Sequence, residues 1–511
     1  PIGSNNIFLT TALPGISVPV LLDGSTSEFV QCASGTDGIP LQLVSIVGNL
    51  GISDGLRLES GSDGSTIRAL EIYKFDDDGI QINSNNNTVT CSIIGRSNNP
   101  NQDDGINIVG DGNRIGGGGA QARNVIVGNL GHGIYVQAGT GNSADNNKIR
   151  GNFIGRSAQT NSAGGIKLGS NSSFTTIGGT TAGERNDIIG NSGIGIEADS
   201  TNDVTIIGNY IGLAPDGTTI VANTGSGILV INSNDVAIGG LADGEGNFIS
   251  GNGNHGINID NSIRVVVNEN TLGSDIAAGS AGNGLNGVYL HNGAHDNQIA
   301  YNRIRNNTRD GVRVINSGTV NNPIRYNSIS DNGEQGIDLG ANGITPNDGA
   351  GDPDTGPNNL QNFPDIDSVS GTTDLTFTGF MTGNLGDIMR IDIFHSSSCD
   401  GTHGEGKRYL GTYEFTMTAG TNMFGSTLSN VNVSGGEITM TATGPGSNTS
   451  EFSECMSLTV PTAVGLNGQM TVTPLSASGQ TVGRSSWLWL VVLIGLTLVL
   501  WSRSKSSQRR Y

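Results

Sequence analysis

A four-residue pattern, glycine followed by an apolar, a polar and an apolar residue, recurs through the first two thirds of the chain. Its copies begin at Gly55, Gly79, Gly105, Gly133, Gly165, Gly195, Gly227, Gly256, Gly287, Gly311 and Gly336, with spacings of 24 to 32 residues. Alternation of this kind is typical of a strand with one buried face, and no helical period fits the repeat. The regular spacing indicates an architecture built from stacked units.

A second motif, Ile-x-Gly-Asn and its variants, lies between the glycine copies, as in "VIVGN" and "FISGN". Each unit therefore contains two or three strands of three to five residues, separated by Gly, Asn, Asp and Ser turns. A strand so short cannot bury its apolar face alone, but stacked units form parallel sheets around Ile and Val columns. The sequence predicts an all-β chain in which residues 1–364 form a right-handed parallel β-helix with capping segments. Asn residues that recur at one turn can stack as an amide ladder.

Composition supports an ordered β array and limits its partners. Glycine supplies 81 of the 511 residues, without the three-residue period of collagen, and apolar residues recur too regularly for a disordered chain. The formal net charge is −20, and the 25 Lys and Arg residues are scattered. Nucleic acid is therefore excluded as a partner, because phosphate binding needs a basic stripe.

The pattern changes after Pro364. Segments such as "DLTFTGFM" and "IMRIDIFH" alternate at period two and predict a β-sandwich over residues 365–460. Within it Cys399 and Cys455 could form a disulfide, whereas Cys32 and Cys91 are equally well explained as buried thiols. Residues 461–486 are rich in Ser, Thr and Gly and are interpreted as a linker.

The far end of the chain predicts a membrane anchor. Residues 487–501, "WLWLVVLIGLTLVLW", are uncharged and bounded by tryptophans, and residues 502–511 form a basic tail. This layout predicts a single transmembrane helix with a cytoplasmic C-terminus, so that the rest of the chain is exported and held at the cell envelope. A buried core helix and a sorting signal that is later cleaved are the alternatives. The absence of a signal peptide at Pro1 suggests that a leader or further N-terminal sequence has been removed.

Two segments carry a resemblance to a known family. "TTIGGTTAGERNDIIGNSGIGI" (175–196) and "DLGANGITPNDGAGDPDTGPNNLQNFP" (338–364) resemble bacterial surface right-handed β-helix repeat proteins, often found with a CSLREA-type region, within the pectin-lyase-like fold. The resemblance implies an exported β-helix that is capped by a β-sandwich and held at the envelope. It carries no general set of catalytic residues.

Stacking would bring the residues that precede each glycine into one row along the β-helix. This row is Asp54, Asp78, Asp104, His132, Gly164, Ile194, Ser226, His255, Asn286, Asp310 and Gln335. Asp77 and Asp103 add a second acidic column at one end. Like charges so close must raise some pKa values or bind a cation. A catalytic site, a structural or calcium-stabilised acidic ladder, and a solvated polar turn remain open as explanations.

The same residues show a faint similarity to polygalacturonan-hydrolysing β-helix enzymes. By that similarity Asp104 would be the acid, Asp78 and Asp103 the base pair, and His132 and Lys167 the substrate-holding residues of an inverting hydrolase. The sequence departs from the motifs, since Asp76-Asp77 replaces Asn-Thr and Gly165 replaces an arginine. A lyase would need calcium carboxylates and an arginine base on one face, and Arg68 and Arg96 have no defined partner for that role.

A second acidic segment, "NDGAGDPDTGPN", follows the last coil. Its oxygen donors Asp348, Asp352, Asp354 and Asn358 suit calcium, which accepts irregular sets of six to eight oxygens. A hydrophilic cap loop closed by Asx turns explains the same residues without a metal.

The leading functional hypothesis from the sequence is a non-catalytic, envelope-anchored β-helix with a role in adhesion, carbohydrate contact or structure. Its partners would be an extracellular polysaccharide or another cell surface, and calcium is the one cofactor considered. The first rival is a hydrolase or lyase of acidic polysaccharides that uses the Asp/His edge. The second rival is a subunit of an extracellular fibre.

Overall fold

The structure is a computed structural model that describes residues 6–25, 43–49, 51–119, 121–139, 143–340, 342–401 and 403–458. The described chain is almost entirely β-structure, with short 3-10 helices at Pro357–Leu360 and Pro445–Ser447. Most strands belong to three long parallel sheets, and each coil of the chain passes through sheet 1, sheet 2 and sheet 3 in turn. This arrangement confirms the predicted parallel β-helix, and the three sheets fit its right-handed form.

Sheet 1 has eleven strands and contains the repeated glycine motif. Its strands are Leu56–Leu58, Ile80–Ile82, Ile106–Ile108, His132–Val136, Gly164–Leu168, Ile194–Asp199, Ile228–Ile231, Ile257–Asp260, Val288–His291, Val312–Val314 and Ile337–Leu339.

Sheet 2 also has eleven strands. They are Leu21–Asp23, Thr66–Arg68, Thr88–Thr90, Arg114–Gly116, Lys148–Arg150, Thr176–Gly178, Thr205–Ile207, Ala237–Gly239, Val266–Asn268, Gln298–Ala300 and Ile324–Arg325.

Sheet 3 has twelve strands. They are Asn6–Phe8, Val44–Val47, Leu70–Tyr73, Ile93–Ile94, Val125–Ile126, Phe153–Ile154, Asp187–Ile188, Tyr210–Ile211, Phe248–Ile249, Thr271–Leu272, Arg303–Arg305 and Ser328–Ser330.

The repeated motif sets the register of sheet 1. Ile106 pairs with Ile80 on one side and Ile134 on the other, so that fully buried isoleucines form a column inside the β-helix. Each such side chain contributes roughly 1.5–3 kcal/mol by leaving water. The glycine is needed for close approach, because a Cβ at Gly105 would lie 2.6 Å from the Gly133 carbonyl oxygen. The alternating polar residue faces outward.

Two long buried asparagine ladders join the described coils, as predicted, and shorter ones between sheets 1 and 2 join Asn87 to Asn113 at 2.9 Å and Asn297 to Asn322 at 3.0 Å. Between sheets 2 and 3, Nδ2 of each asparagine donates to Oδ1 of the next at distances between 2.9 and 3.1 Å, through Asn124, Asn152, Asn186, Asn209, Asn247, Asn270, Asn302 and Asn327. Between sheets 3 and 1, the distances lie between 2.8 and 3.1 Å, through Asn101, Asn129, Asn161, Asn191, Asn223, Asn252, Asn283, Asn307 and Asn332. Both ladders satisfy polar groups that would otherwise be costly to bury.

After the last coil, the chain forms two antiparallel sheets that share a hydrophobic core, the arrangement of a β-sandwich. One sheet contains Asp365–Ser370, Leu375–Thr382 and Thr421–Leu428, and the other contains Ile388–Ser396, Arg408–Thr416, Glu437–Thr443 and Met456–Ser457.

The β-sandwich covers the end of the β-helix through polar contacts. Arg325 forms an ion pair with the buried Asp392 at 2.7 Å. The last asparagine of one ladder, Asn332, donates to Glu405 Oε1 at 2.8 Å. Side chains of the β-sandwich therefore cover the end of the β-helix, which would otherwise be exposed.

Cys399 and Cys455 form a disulfide with their Cα atoms 5.9 Å apart, so that prediction is confirmed. Cys91 is buried but disulfide-bonded, and the free-thiol alternative for this residue is wrong. Among the described residues, no helix is long and apolar enough to cross a membrane. Cys32 and residues 461–511, which include the predicted linker, transmembrane segment and basic tail, lie outside the described residues, and those predictions stay predictions.

Candidate functional site

The row of residues that precede the glycines lies along one edge of sheet 1, where its carboxylates bond to the backbone of the following coil. Asp54 Oδ1 accepts the Asp78 backbone N–H at 3.4 Å, Asp78 Oδ1 accepts that of Asp104 at 3.0 Å, and Asp104 Oδ1 accepts that of His132 at 2.6 Å. Neutral Asn286 does the same for Asp310 at 3.1 Å. These aspartates therefore have a structural role, because each joins its coil to the next by a hydrogen bond.

The sites predicted at Asp78, Asp103 and Asp104 come together with Asp54 and Asp77 in one group, named here the acidic cluster. One oxygen each from Asp78, Asp103 and Asp104 lies within 4.8 Å of the others, and the same holds for Asp54, Asp77 and Asp78. Asp78 and Asp104 are buried, whereas Asp77 is half-buried and Asp103 is exposed. The cluster therefore has a buried inner row and a solvent-facing outer row.

Burial and mutual repulsion shift the acidities of the cluster. Burial raises the pKa of Asp78 to about 8, with the Asp104 and Asp77 charges adding to the effect. Partial burial raises the pKa of Asp77 and of Asp103 as well, and neighbouring carboxylates add to this effect. His132 Nδ1 lies 3.2 Å from Asp104 Oδ1. Asp78 therefore retains its proton at neutral pH.

The outward face of sheet 1 continues from the cluster through Tyr135, Lys167 and Glu197, which are successive partners across the strands. The rings of His132 and Tyr135 are 5.6 Å apart, and Lys167 Nζ lies 5.9 Å from the centre of the Tyr135 ring. Lys167 forms a 2.8 Å ion pair with Glu197. Burial lowers the Lys167 pKa, but the hydrogen bond and charge of Glu197 outweigh it, so the pKa is raised overall. The structure thus places Lys167 on the same face as the cluster.

Further along this face is a group that the sequence reasoning missed. The His255, Tyr289 and His291 rings stack in series with both centroid distances at 4.5 Å. Together with Arg309 and Arg313, His255 and Tyr289 line a cavity of about 300 Å³. Burial lowers the His255 pKa to about 4, with nearby cationic groups contributing, so the ring is neutral at pH 7. The signal was available for two of these residues: Tyr289 and Arg313 occupy the polar position at the centre of their glycine motifs, which faces outward, and they pair across neighbouring strands.

The acidic segment after the last coil assembles only in part. Oxygens of Asp348, Asp352 and Asp354 lie within 4.8 Å of one another, and burial raises the Asp352 pKa to about 7, with Asp354 adding to the effect. Asn358, the fourth predicted donor, bonds to the last coil instead of to these carboxylates. Its Oδ1 accepts the Asn322 N–H at 3.1 Å and its Nδ2 donates to the Asn322 carbonyl at 2.8 Å, because the side chain continues a ladder from the coil.

Comparisons with known proteins give structural neighbours. No protein-family model and no curated protein matches the sequence. The A-module of the Azotobacter vinelandii mannuronan C-5 epimerase AlgE4 is 13% identical with a TM-score of 0.36, covering 59% of this chain and 86% of its own. The AlgE6 A-module from the same organism is 14% identical with a TM-score of 0.38, covering 67% and 92%.

A third neighbour is the tailspike protein gp49 of the Acinetobacter baumannii bacteriophage Fri1, a capsular polysaccharide depolymerase. It is 10% identical with a TM-score of 0.25, covering 89% of this chain and 87% of its own. The fold itself defines this chain as a parallel β-helix protein. Its assignment to the CSLREA-associated type stays a prediction.

Proposed function

We propose that the protein cleaves an extracellular polysaccharide at the acidic cluster, rather than serving only as a non-catalytic surface protein. The proposal depends on one observation: successive coils have a carboxylate at a position where a neutral side chain can make the same backbone hydrogen bond. Asn286 accepts the backbone N–H of the next coil as Asp78 and Asp104 do. Adjacent buried carboxylates repel one another, so their placement opposes stability and needs another explanation. Perturbed carboxylates on an open face are a frequent mark of catalytic sites.

The outer row, Asp77 and Asp103, would contact the sugar. Asp103 lies beside Asp78 and Asp104 and is solvent-facing, so it is the group placed to protonate the glycosidic oxygen as the C–O bond breaks. Asp77, at the equivalent position of the preceding coil, would attack the anomeric carbon and form a covalent glycosyl-enzyme, which water then hydrolyses with Asp103 acting as the base. The inner residues Asp78 and Asp104 would tune the acidity of the outer pair, and His132 would hold Asp104 in place. These roles differ from the sequence-based assignment, in which Asp104 was the acid.

The spacing of the coils favours retention over the predicted inversion. The backbones of equivalent residues on neighbouring coils are about 4.8 Å apart, which brings the Asp77 and Asp103 side chains onto adjacent coils. Retaining glycosidases use carboxyl groups about 5–5.5 Å apart, whereas inverting enzymes need about 6.5–9.5 Å to admit a water molecule. A product released with its anomeric configuration retained, detected by proton NMR during hydrolysis, is therefore the expected stereochemical outcome.

The rest of sheet 1 would guide the polymer. Its outward row runs from the cluster past Tyr135 and Lys167 to the cavity at Tyr289. A straight face with one side chain per coil suits an extended, repetitive ligand. Export to the cell envelope belongs to this proposal, since a polysaccharide substrate of this kind lies outside the cell.

The test compares D103N with wild type and with D203N, a control that removes one exposed aspartate on another part of the surface. Reducing ends released from a panel of neutral and acidic polysaccharides are measured. We expect wild type and D203N to be active and D103N to lose at least about a hundredfold in rate, the usual contribution of a general acid. Absence of cleavage by wild type on every polymer, or full activity in D103N with an unchanged fold, would refute the proposal.

The second candidate function is the non-catalytic surface β-helix. It is favoured by the backbone hydrogen bonds of Asp54, Asp78 and Asp104, which give each inner carboxylate a structural role. Polysaccharide binding by wild type without release of reducing ends would support it.

A further inference from the structure

A cationic cavity on sheet 2 stands apart from the site on sheet 1. It has a volume of about 450 Å³ and is lined by Asn86, Thr88, Arg114, Lys148, Arg150 and Glu184, among others. Three cations and one carboxylate give these side chains a formal charge of +2, although the whole chain carries −20. A concentration of positive charge at one cavity of an acidic protein needs a physical reason.

The two exposed cations are direct neighbours across parallel strands. Arg114 pairs in register with Lys148, and Thr88 and Thr176 occupy the same position on the coils to either side. Like charges directly opposite one another in a sheet are destabilising. In the part of the chain that the structure describes, neither residue forms an ion pair with a carboxylate, and Arg114 Nε donates only to the neutral Gly116 carbonyl oxygen at 3.0 Å.

The third cation brings an unused donor. Arg150 is held by Glu184 through Nη1 at 2.8 Å, which fixes the guanidinium at the cavity. Its Nε is buried and has no hydrogen-bond partner among the described residues. A buried donor without an acceptor is costly, so the protein leaves part of the hydrogen-bonding capacity of this guanidinium unused. The like-charge pair and the incompletely satisfied guanidinium are separate observations of positive charge that the protein does not fully match, and an anionic ligand would match it.

We propose that this cavity binds an acidic sugar unit of a polysaccharide, through a carboxylate or sulfate group. Arg114, Lys148 and Arg150 would form charge-assisted hydrogen bonds to the anion. The Asn86 amide and the Thr88 hydroxyl supply donors and acceptors for sugar hydroxyls. The volume is that of an ordinary small-ligand site, and the cations are too few for the continuous basic stripe that nucleic acid requires. The surface is separate from the acidic cluster and does not depend on catalysis there.

The neighbouring coils suggest the variant that tests this proposal. Replacing both cations by threonine, R114T/K148T, installs the residue that the adjacent coils carry at the same position. The variant should fold, with a melting temperature equal to or above that of wild type, since the like-charge pair is gone. Isothermal titration calorimetry is performed with an oligogalacturonate and a sulfated galactan oligomer. A carboxyl-reduced oligomer of the first serves as the neutral control.

We expect wild type to bind one of the two anionic oligomers, the neutral oligomer to show no binding, and R114T/K148T to lose at least about tenfold in affinity. D103N should bind with wild-type affinity, which separates this site from the proposed cleavage site. Failure of wild type to bind either oligomer, or unchanged binding by R114T/K148T, would overturn the proposal. Inorganic sulfate that binds as tightly as the oligomers, or preferential binding to anionic lipid vesicles or duplex DNA, would overturn it also.

Discussion

Replacing Asp78 by asparagine should stabilise the protein at neutral pH. The amide in the D78N variant would keep an oxygen for the Asp104 backbone N–H, as Asn286 does for Asp310, but would carry no charge into the buried row. The pKa of Asp78 is about 8 in the folded chain against 3.8 as the reference value. The folded state therefore holds a proton that the unfolded state releases between these two pH values.

The sign and size follow from proton linkage. A raised carboxylate pKa gives stability that is present below pH 3.8 and is lost as the pH rises toward 8. Between pH 3.8 and 7, the loss is about 4 kcal/mol at 1.36 kcal/mol per pH unit. Because an amide does not titrate, D78N and wild type should be similarly stable near pH 4, and D78N should exceed wild type by about this amount at pH 7.

Urea unfolding followed by circular dichroism from pH 4 to 8 measures the difference. A long repeat array need not unfold as one unit, so peptide-level hydrogen exchange around Asp104 provides a local measurement of the same effect. The control D203N should change stability by less than about 0.5 kcal/mol, as is usual for surface substitutions. If D78N follows wild type at every pH, the buried row does not retain a proton, and the reasoning about the acidic cluster fails with it.

Three further predictions concern the cap, the acidic segment and the core. Burial raises the Glu405 pKa to about 7, so wild type should lose about 3 kcal/mol of stability between pH 4.5 and 7. The E405Q variant should not show this loss, and hydrogen exchange at Asn332 would measure the difference. If Asp348, Asp352 and Asp354 hold calcium, the melting temperature of wild type should rise with added calcium and that of D352N should not; equal responses would exclude this site. I134A should destabilise the coil around it by about 2–5 kcal/mol in urea unfolding, since Ile134 is fully buried; a change below about 1 kcal/mol would contradict the column of isoleucines.

The parallel β-helix could be predicted from the sequence because its strongest signal is local. At each coil the glycine allows the backbone of the next coil to approach closely, and the alternating apolar residues fill the interior. The position of a residue in the motif therefore indicates whether its side chain faces inward. Asp78, Asp104 and His132 were placed on one edge for this reason. The amide ladders could be anticipated similarly, because Asn191 and Asn223 occupy the same turn of successive coils.

Other features of the sites depend on distances that the motif does not encode. Asn358 is close in sequence to Asp354, but it joins Asn322 in a ladder, since the chain turns back onto the last coil between them. The cavity at Tyr289 requires residues from three coils, of which only His255 and Asn286 belong to the row that the sequence predicted.

The sequence by itself determined the winding of the chain and the face on which each motif residue lies, because a glycine and two apolar residues repeat at every coil and leave one way to bury them. Only the tertiary structure decided that Asp78 is buried while Asp103 is exposed, and that Arg114 lies against Lys148. The burial of a side chain and the charges beside it control its acidity and its ion binding. Both depend on which residues of neighbouring coils lie next to each other once the coils are stacked, and the spacing of residues along the chain does not give this.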